Sequence, residues 1–328
     1  MRVFVTGGSG FLGGRLISAL KERGHAVRAL ARSDQAMKTV GAAGAQPIEG
    51  DLARVEALTA GMEGCEWVFH SAARVFGSRR GDFIEDNLRG TERVLEAARA
   101  AGVKRLIHIS SQGVVLGNGP LVNVDETRPI PEQGLGPYSH SKGRAEALVL
   151  SCNGAGLETV AVRPPMIWGA GDTTSLPKLA LAVKERRFRW IGGGHHQVST
   201  CHVDNVVHGT LLAAEKGRGG QAYFLSDGEP LTFRDFMSQQ LQAVGVTPPS
   251  ASTPFWVAKL VAVASEALWH VAFPGELPVL YRERLLVSGV EMTVNDAKAR
   301  AELGYLPQVT REQGLAALRE SAGAGPPR

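Results

Sequence analysis

A short apolar run at the start of the chain, Arg2–Thr6, leads straight into TGGSGFLGG, and no other feature restricts the fold as much. Gly7, Gly10 and Gly13 follow the spacing T-G-x-x-G-x-x-G, and an amphipathic stretch continues to Glu22. Glycines so placed give a tight turn, let the backbone approach a pyrophosphate, and aim a helix N-terminus at its charge. A bare glycine pattern is weak, and a purely structural turn would use the same residues. The strand before it and the helix after it favour a dinucleotide site at Gly7, Gly10, Phe11, Leu12 and Gly13.

Further apolar runs predict strands at Ala26–Ala31, Gln46–Glu49, Trp67–His70, Arg105–Ile109 and Glu158–Arg163. Helical patterns fall between them, near 10–22, 55–60, 82–100 and 138–151. Short apolar strands alternating with helices predict an α/β fold, a doubly wound parallel sheet of Rossmann type with ligands at the strands' carboxyl ends. After Pro164-Pro165 the rhythm changes to glycine-rich loops, shorter helices and an isolated strand pattern at 222–226. The expected organisation is a dinucleotide-binding domain over 1–163, a smaller C-terminal α/β substrate lobe over 164–320, and a disordered tail, 321–328. No internal repeat is present.

At 328 residues, 44% apolar and 21% charged, the chain can bury an ordinary globular core. Its net charge of +4 comes from scattered Lys and Arg, with only short clusters such as Ser78-Arg79-Arg80. A solvated face, with no nucleic-acid partner, is the expectation. Cys65, Cys152 and Cys201 are odd in number and lack C-x-x-C spacing, which predicts neither disulfides nor a metal site and suits a reducing cytoplasm. MRVFVTGG has no basic segment followed by an apolar one, so no signal peptide is expected.

The end of the second strand selects the dinucleotide. NAD-selective sheets place an acid there for the ribose hydroxyls; here Ala31 holds that position and Arg32 and Ser33 follow. An arginine accommodates a 2′-phosphate, which favours NADP(H), although Asp34 keeps NAD(H) open. Asp51 and Leu52, after the third strand, suit an adenine amino group. Ser71, Ala72 and Ala73, after the fourth, are small enough for the cofactor to lie against the strand end, as small-residue packing alone would also require.

PYSHSKG puts Tyr138 and Lys142 one helical turn apart on a common face. With TGGSGFLG, GDL, HSAA, SSQGVVLG, YSHSK, RPPMIWG and HVDNV in this order, nearly the whole chain resembles the extended short-chain dehydrogenase/reductases. Within them it is most similar to the 3β-hydroxysteroid dehydrogenase group, and also to bacterial 2-alkyl-3-oxoalkanoate reductases. The resemblance implies that Tyr138 is the acid/base, Lys142 its helper, and Ser111 the group orienting the substrate oxygen, with Ser110 as the alternative. It implies that Pro165 and Met166 line the nicotinamide, and that Asn87 either supports the site or is a helix-surface residue. A free phenol ionises near pH 10, so a neighbouring ammonium is expected to bring Tyr138 toward the working range. His202 and Asp204 are expected to cap and brace the helix after them, and His195-His196 to be solvated rather than metal-binding.

The lobe carries STPFWVAKLVAVASEALWHVAFPGELPVL, an apolar helix with Lys259, Glu266 and His270 as one polar stripe. Three ionisable residues argue against a membrane span. The helix is read as core packing, as the wall of an apolar pocket, or as a peripheral membrane contact. Phe255, Trp256, Trp269 and Phe273 favour a bulky apolar ketone or alcohol. Arg186, Arg187, Arg189, Arg282 and Arg284 leave a nucleotide-sugar epimerase as the alternative, and a non-catalytic dinucleotide sensor is the second. Gln112-Gly113, where a dehydratase has an acidic pair, disfavours dehydration. A homodimer is expected across the 82–100 and 138–151 helices, with Leu88, Leu95, Leu148 and Val149 as that face or as core.

Overall fold

Six strands form where the apolar runs place them, in a computed structural model that describes residues 1–323. They are β1 (Arg2–Thr6), β2 (Ala26–Ala31), β3 (Gln46–Glu49), β4 (Trp67–His70), β5 (Arg105–Ile109) and β6 (Glu158–Arg163). Along a strand successive side chains point to opposite faces. Accordingly Val3 and Val5 pack with Leu16 and Ile17 of α1 (Phe11–Glu22) and Val40 of α2 (Asp34–Ala42). Phe4 packs on the other side with Leu58 of α3 (Val55–Met62), Val94 of α4 (Gly90–Ala100) and Val149 of α5 (Pro137–Ser151). Both faces of the central strands are covered, which is why they read as apolar runs, whereas the edge strand β3, QPIE, is largely exposed.

A seventh strand, β7 (Gln221–Phe224), completes the sheet in the order β7-β6-β5-β4-β1-β2-β3, every pairing parallel. The order reverses between β1 and β4. The loops leaving these two strands, which begin at Gly7 and Ser71, therefore flank the crevice where such sheets bind ligands.

Three expectations need correction. α2 is absent from the sequence reading; Ser33 caps it by accepting the Ala36 N–H at 3.2 Å. The 222–226 strand forms as β7 and belongs to the main sheet, not to the second lobe. The division at residue 163 is in fact crossed both ways: α6 (Val203–Lys216) lays Val207 and Leu211 on the main sheet's α1 face. Conversely Leu121–Val124 leaves the first segment to pair with Met292–Val294 in a separate four-stranded sheet. Long-range pairing of short strands decides this, and no local pattern encodes it. The lobe's core gathers Trp168, Trp190, Phe233 and Phe236 around that smaller sheet.

The expected disordered tail begins as helix: Ser321 to Gly323 close Arg311–Gly323. The rest of that tail, 324–328, lies outside the described residues. The 82–100 helix opens at Arg80–Phe83, passes through a π-helical turn at Ile84–Arg89 and continues as α4. Of the four residues offered as a dimer face, Leu95 and Val149 are core.

The helix α7 (Phe255–Ala272) buries only Ala258 and Ala262, against Leu285 of α8 (Arg282–Gly289). Its apolar residues face outward: Trp256 is 66% exposed, Leu260 62% and Val271 79%. Glu266, read as part of an outward polar stripe, turns toward α8 and holds Arg282 at 2.6 Å. The core-packing reading of α7 is thereby corrected.

Candidate active site

The glycine loop has the shape its spacing demands. Gly7 adopts φ +72°, and a Cβ there would sit 2.6 Å from the Ala72 nitrogen. A Cβ on Gly13 would overlap the Gly7 carbonyl, and Gly10 donates its N–H to that same oxygen at 3.0 Å. The turn is thus pressed against the Ser71-Ala72-Ala73 loop, with no room for side chains. Gly10 gives α1 no side-chain cap and its first turn has no acid, so Phe11 and Leu12 open a helix N-terminus suited to a phosphate. These residues fit a dinucleotide cradle.

The side chains expected to choose the dinucleotide lie around the same crevice. Arg32 is exposed directly after β2, and Ser33 is committed to capping α2. Asp51 is exposed after β3 and accepts the Ala53 N–H at 2.9 Å, while Leu52 packs beneath Gly90. Pro165 is buried and Met166, half-buried, opens a short strand that pairs with Thr200–His202.

Tyr138 and Lys142 both lie in the first two turns of α5, started by Pro137 in the position proline favours. Glu146, one turn on, holds Arg163 of β6 in a buried ion pair at 2.6 Å and so pins this helix to the sheet. Ser111 accepts the Gly113 N–H at 3.1 Å, which leaves its oxygen placed to hydrogen-bond the Tyr138 phenol. Ser110 instead buries its hydroxyl without a partner. The geometry brings Ser111 and Tyr138 together across Gly113, with Lys142 one helical turn on, and leaves the Ser110 hydroxyl without a hydrogen-bond partner.

Burial pushes the Tyr138 phenol above its ordinary pKa; Ser111 opposes the shift and the Glu283 charge adds to it. The expected lowering by Lys142 is corrected here, because that side chain is turned elsewhere. Its Nζ donates to the Ile109 carbonyl at 2.7 Å and lies 3.3 Å from His108 Nε2. Burial lowers Lys142 to about 8, partly offset by Glu146. His108 in turn stacks obliquely on His70, their ring centres 5.3 Å apart, and both are kept neutral by burial and by the Lys142 charge.

Asn87 is 1% exposed, in the π-helical turn, and is no helix-surface residue. It accepts the Arg74 N–H at 2.6 Å, donates to Arg74 O at 3.0 Å and to Ser141 Oγ at 3.0 Å. One side chain thereby ties the loop beside the glycine turn to the helix of Tyr138.

His70, His108 and Glu283 escaped the sequence reading. His108 could have been found, since IHISS places it on the same strand face as Ser110. Glu283 gives no local signal. His202 caps α6 by accepting the Asp204 N–H at 3.3 Å, and Asp204 lies 3.7 Å from Arg15, so both brace the fold as expected. His196, expected to be solvated, stacks on Phe233, and burial lowers it to about 4. Among the described residues no cluster of three His, Cys, Asp or Glu is arranged for a metal. Arg187, Arg189 and Arg282 are engaged by Glu185, by Ser252 with Thr253, and by Glu266, which leaves the lobe fewer free cations for a diphosphate.

Comparison with known proteins agrees with this geometry. Residues 4–255 match the model of the 3-beta hydroxysteroid dehydrogenase/isomerase family. The chain is 47% identical over 326 residues to a 4-hydroxy-2-methyl-3-oxo-4-farnesyl-3,4-dihydroquinoline-1-oxide ketoreductase of Stigmatella aurantiaca, covering 99% of this chain and 98% of that one. It is 36% identical to a 2-alkyl-3-oxoalkanoate reductase of Stenotrophomonas maltophilia, over 99% and 100% of the two chains. A solved crystal structure of gox2253 superposes with a TM-score of 0.80 at 31% identity, covering 97% of this chain and 98% of that one.

Proposed function

We propose, from the premise that this chain belongs to the 3-beta hydroxysteroid dehydrogenase/isomerase family, that it reduces the ketone of a bulky apolar substrate. It is an NAD(P)-dependent oxidoreductase of the extended short-chain type, and its cofactor is a nicotinamide dinucleotide. The observation that carries the reading is the Ser111 hydroxyl and the Tyr138 ring meeting across Gly113 at the carboxyl end of β5. The substrate class follows from two relatives whose names describe a farnesyl-bearing ring ketone and a 2-alkyl-3-oxo acid.

When bound, the dinucleotide supplies or accepts the hydride. The Tyr138 phenol gives its proton to the ketone oxygen, or takes it from the alcohol. Ser111 Oγ holds that oxygen beside the phenol, and the half-buried setting of the pair limits the water that would compete for the proton. Lys142, one turn along α5, keeps its ammonium on the Ile109 carbonyl; the family resemblance gives it the role of helper to Tyr138. Arg32 after β2, with Ala31 in place of a carboxylate, supports a preference for NADPH.

The finer parts of the proposal concern place and assembly. Three free cysteines suit a reducing cytoplasm. The outward apolar face of α7 suits a peripheral membrane contact, although by length and composition this one helix would suffice to cross a membrane. A homodimer would use Leu88 and Leu148, both half-buried, and sedimentation showing only monomer removes it.

The test is absorbance of the reduced nicotinamide with a 3-oxosteroid, a long-chain 2-alkyl-3-oxo acid and a UDP-sugar. Oxidation of NADPH by either apolar ketone, abolished in Tyr138→Phe, is the expected result. Turnover of the UDP-sugar alone would move the protein to the epimerases. Cofactor binding with no turnover would favour a sensor.

A further inference from the structure

The N-terminus of the helix that carries Tyr138 is closed by a residue from the other lobe. Gly136, its N-cap, has no side chain to offer, and a Cβ there would overlap the Glu283 carboxylate. That carboxylate, only 4% exposed, comes from the second residue of α8. Its Oε1 accepts the Ser139 N–H at 2.6 Å and its Oε2 the Tyr138 N–H at 3.3 Å. Pro137 has no N–H, so two of the three orphan donors of α5 are satisfied by a chain segment 145 residues away. The same segment contacts the ring as well: Tyr281 and Leu277 pack with Phe83 against Tyr138.

We infer that Glu283 is a positioning residue for the reaction: it fixes the first turn of α5, and with it the phenol of Tyr138, from the docked second lobe. The inference rests on the reading of Tyr138 as acid/base. A negative charge here suits the positive end of a helix dipole, but it also stands beside the half-buried Tyr138 phenol, whose ionisation it opposes. The other groups around it are Arg284 on its own helix, Tyr281 just before that helix, Arg80 near Tyr281, and Tyr138 itself. Arg284 lies over the Tyr281 ring, 5.2 Å from its centre, and donates to the Val279 carbonyl, so it pairs with neither Glu283 oxygen. Glu283 is therefore the carboxylate that acts on the Tyr138 helix; burial pushes its pKa up, the Ser139 and Tyr138 N–H groups and the Arg284 charge oppose that, and among the described residues it forms no ion pair.

α8 is in turn braced on α7, through Leu285 against Ala258 and Ala262 and through Arg282 on Glu266. The outward apolar helix and the acid/base residue thus share one mechanical support.

The experiment compares wild type, Glu283→Gln, Glu283→Ala and Tyr138→Phe by pH profile of kcat, by KM and by NADPH affinity in fluorescence titration. Glu283→Gln keeps the volume and one acceptor oxygen, so it carries the test even where the alanine variant fails to fold. Its expected kcat is roughly tenfold lower, as for a slightly misplaced reacting group, with NADPH affinity unchanged because the glycine loop is untouched. Loss of the charge also lets the phenol ionise at lower pH, so the alkaline limb of ketone reduction moves down. A Glu283→Gln profile that matches wild type, or a loss of kcat with the limb unmoved, overturns the inference and leaves a cap only. Full activity in Tyr138→Phe overturns the acid/base reading instead, and the two failures cannot be confused.

Discussion

Lys142 Nζ lies 3.3 Å from His108 Nε2, inside the protein and out of reach of solvent. With Nε2 as the acceptor, the His108 proton sits on Nδ1, which has no partner. A neutral imidazole can take this hydrogen bond; an imidazolium would repel the ammonium. His70 extends the buried chain, its Nδ1 2.7 Å from Thr6 Oγ1 and its Nε2 2.9 Å from Thr91 Oγ1.

His108→Phe keeps a ring in the space but removes the acceptor. Leaving a buried ammonium short of one partner costs about 1–3 kcal/mol. We expect a drop of that size in urea-unfolding free energy, with a fall in kcat from the freed lysine. An unchanged midpoint together with unchanged kcat would show that the Ile109 carbonyl alone holds Lys142.

The depressed Lys142 pKa has a consequence for stability. Its ordinary value is 10.5 and its folded value about 8, so the folded state binds the proton less tightly than the unfolded chain. Its relative contribution is therefore most favourable above pH 10.5 and is lost as pH falls toward 8. Lys142→Met, with a similar stem and no charge, should be the more stable protein at neutral pH by up to about 3 kcal/mol. The advantage should fade between pH 8 and 10.5, while reductase activity is lost at every pH. Chemical denaturation of both proteins at pH 7 and pH 10 decides this; a difference independent of pH would mean that lost packing or the lost bond to Ile109 dominates.

Arg32 offers a direct reading of cofactor choice. It is exposed, so its removal should leave the fold intact. Arg32→Ser should weaken NADPH binding about tenfold, the scale of one charge-assisted contact to phosphate, and leave NADH binding unchanged. Equal loss for both dinucleotides would place Arg32 elsewhere than at a 2′-phosphate.

Most of the Rossmann half was legible because its signals are local. The six strands are four to six residues long, most with an apolar centre, and the glycine loop encodes its own turn. Tyr138 and Lys142 were singled out because helical spacing puts them on one face and the motifs around them, in order, resemble the extended short-chain dehydrogenase/reductases. What stayed hidden depends on contacts between distant segments. β7 looks like any short apolar run until it pairs with β6. Glu283 reads as one charge among several in YRERLL, and only folding brings it to Tyr138. Asn87 sat between two readings because a sequence does not show which way a helix turns, and a π-helical turn shifts the register further. The polar stripe on α7 misled for a related reason: Glu266 turns inward for Arg282, so polarity did not mark the solvent side.

That outward face supports the last prediction. Trp256, Leu260, Val261 and Val271 are exposed on a helix whose buried residues are two alanines. Lys259 is exposed among them, and Arg189 stands at the base of the helix, holding the Ser252 carbonyl at 2.8 Å. Apolar side chains with basic neighbours suit an anionic bilayer surface, and a lipid-like substrate would be met there. The wild-type protein should sediment with vesicles containing a third phosphatidylglycerol, less so in high salt. The double variant Trp256→Asp, Leu260→Asp should remain soluble, because neither side chain supports the core. Its turnover of a short, water-soluble ketone should equal wild type, whereas turnover of the same ketone with a long chain, presented in vesicles, should fall several-fold. Equal sedimentation of wild type and variant would show that α7 does not meet the membrane.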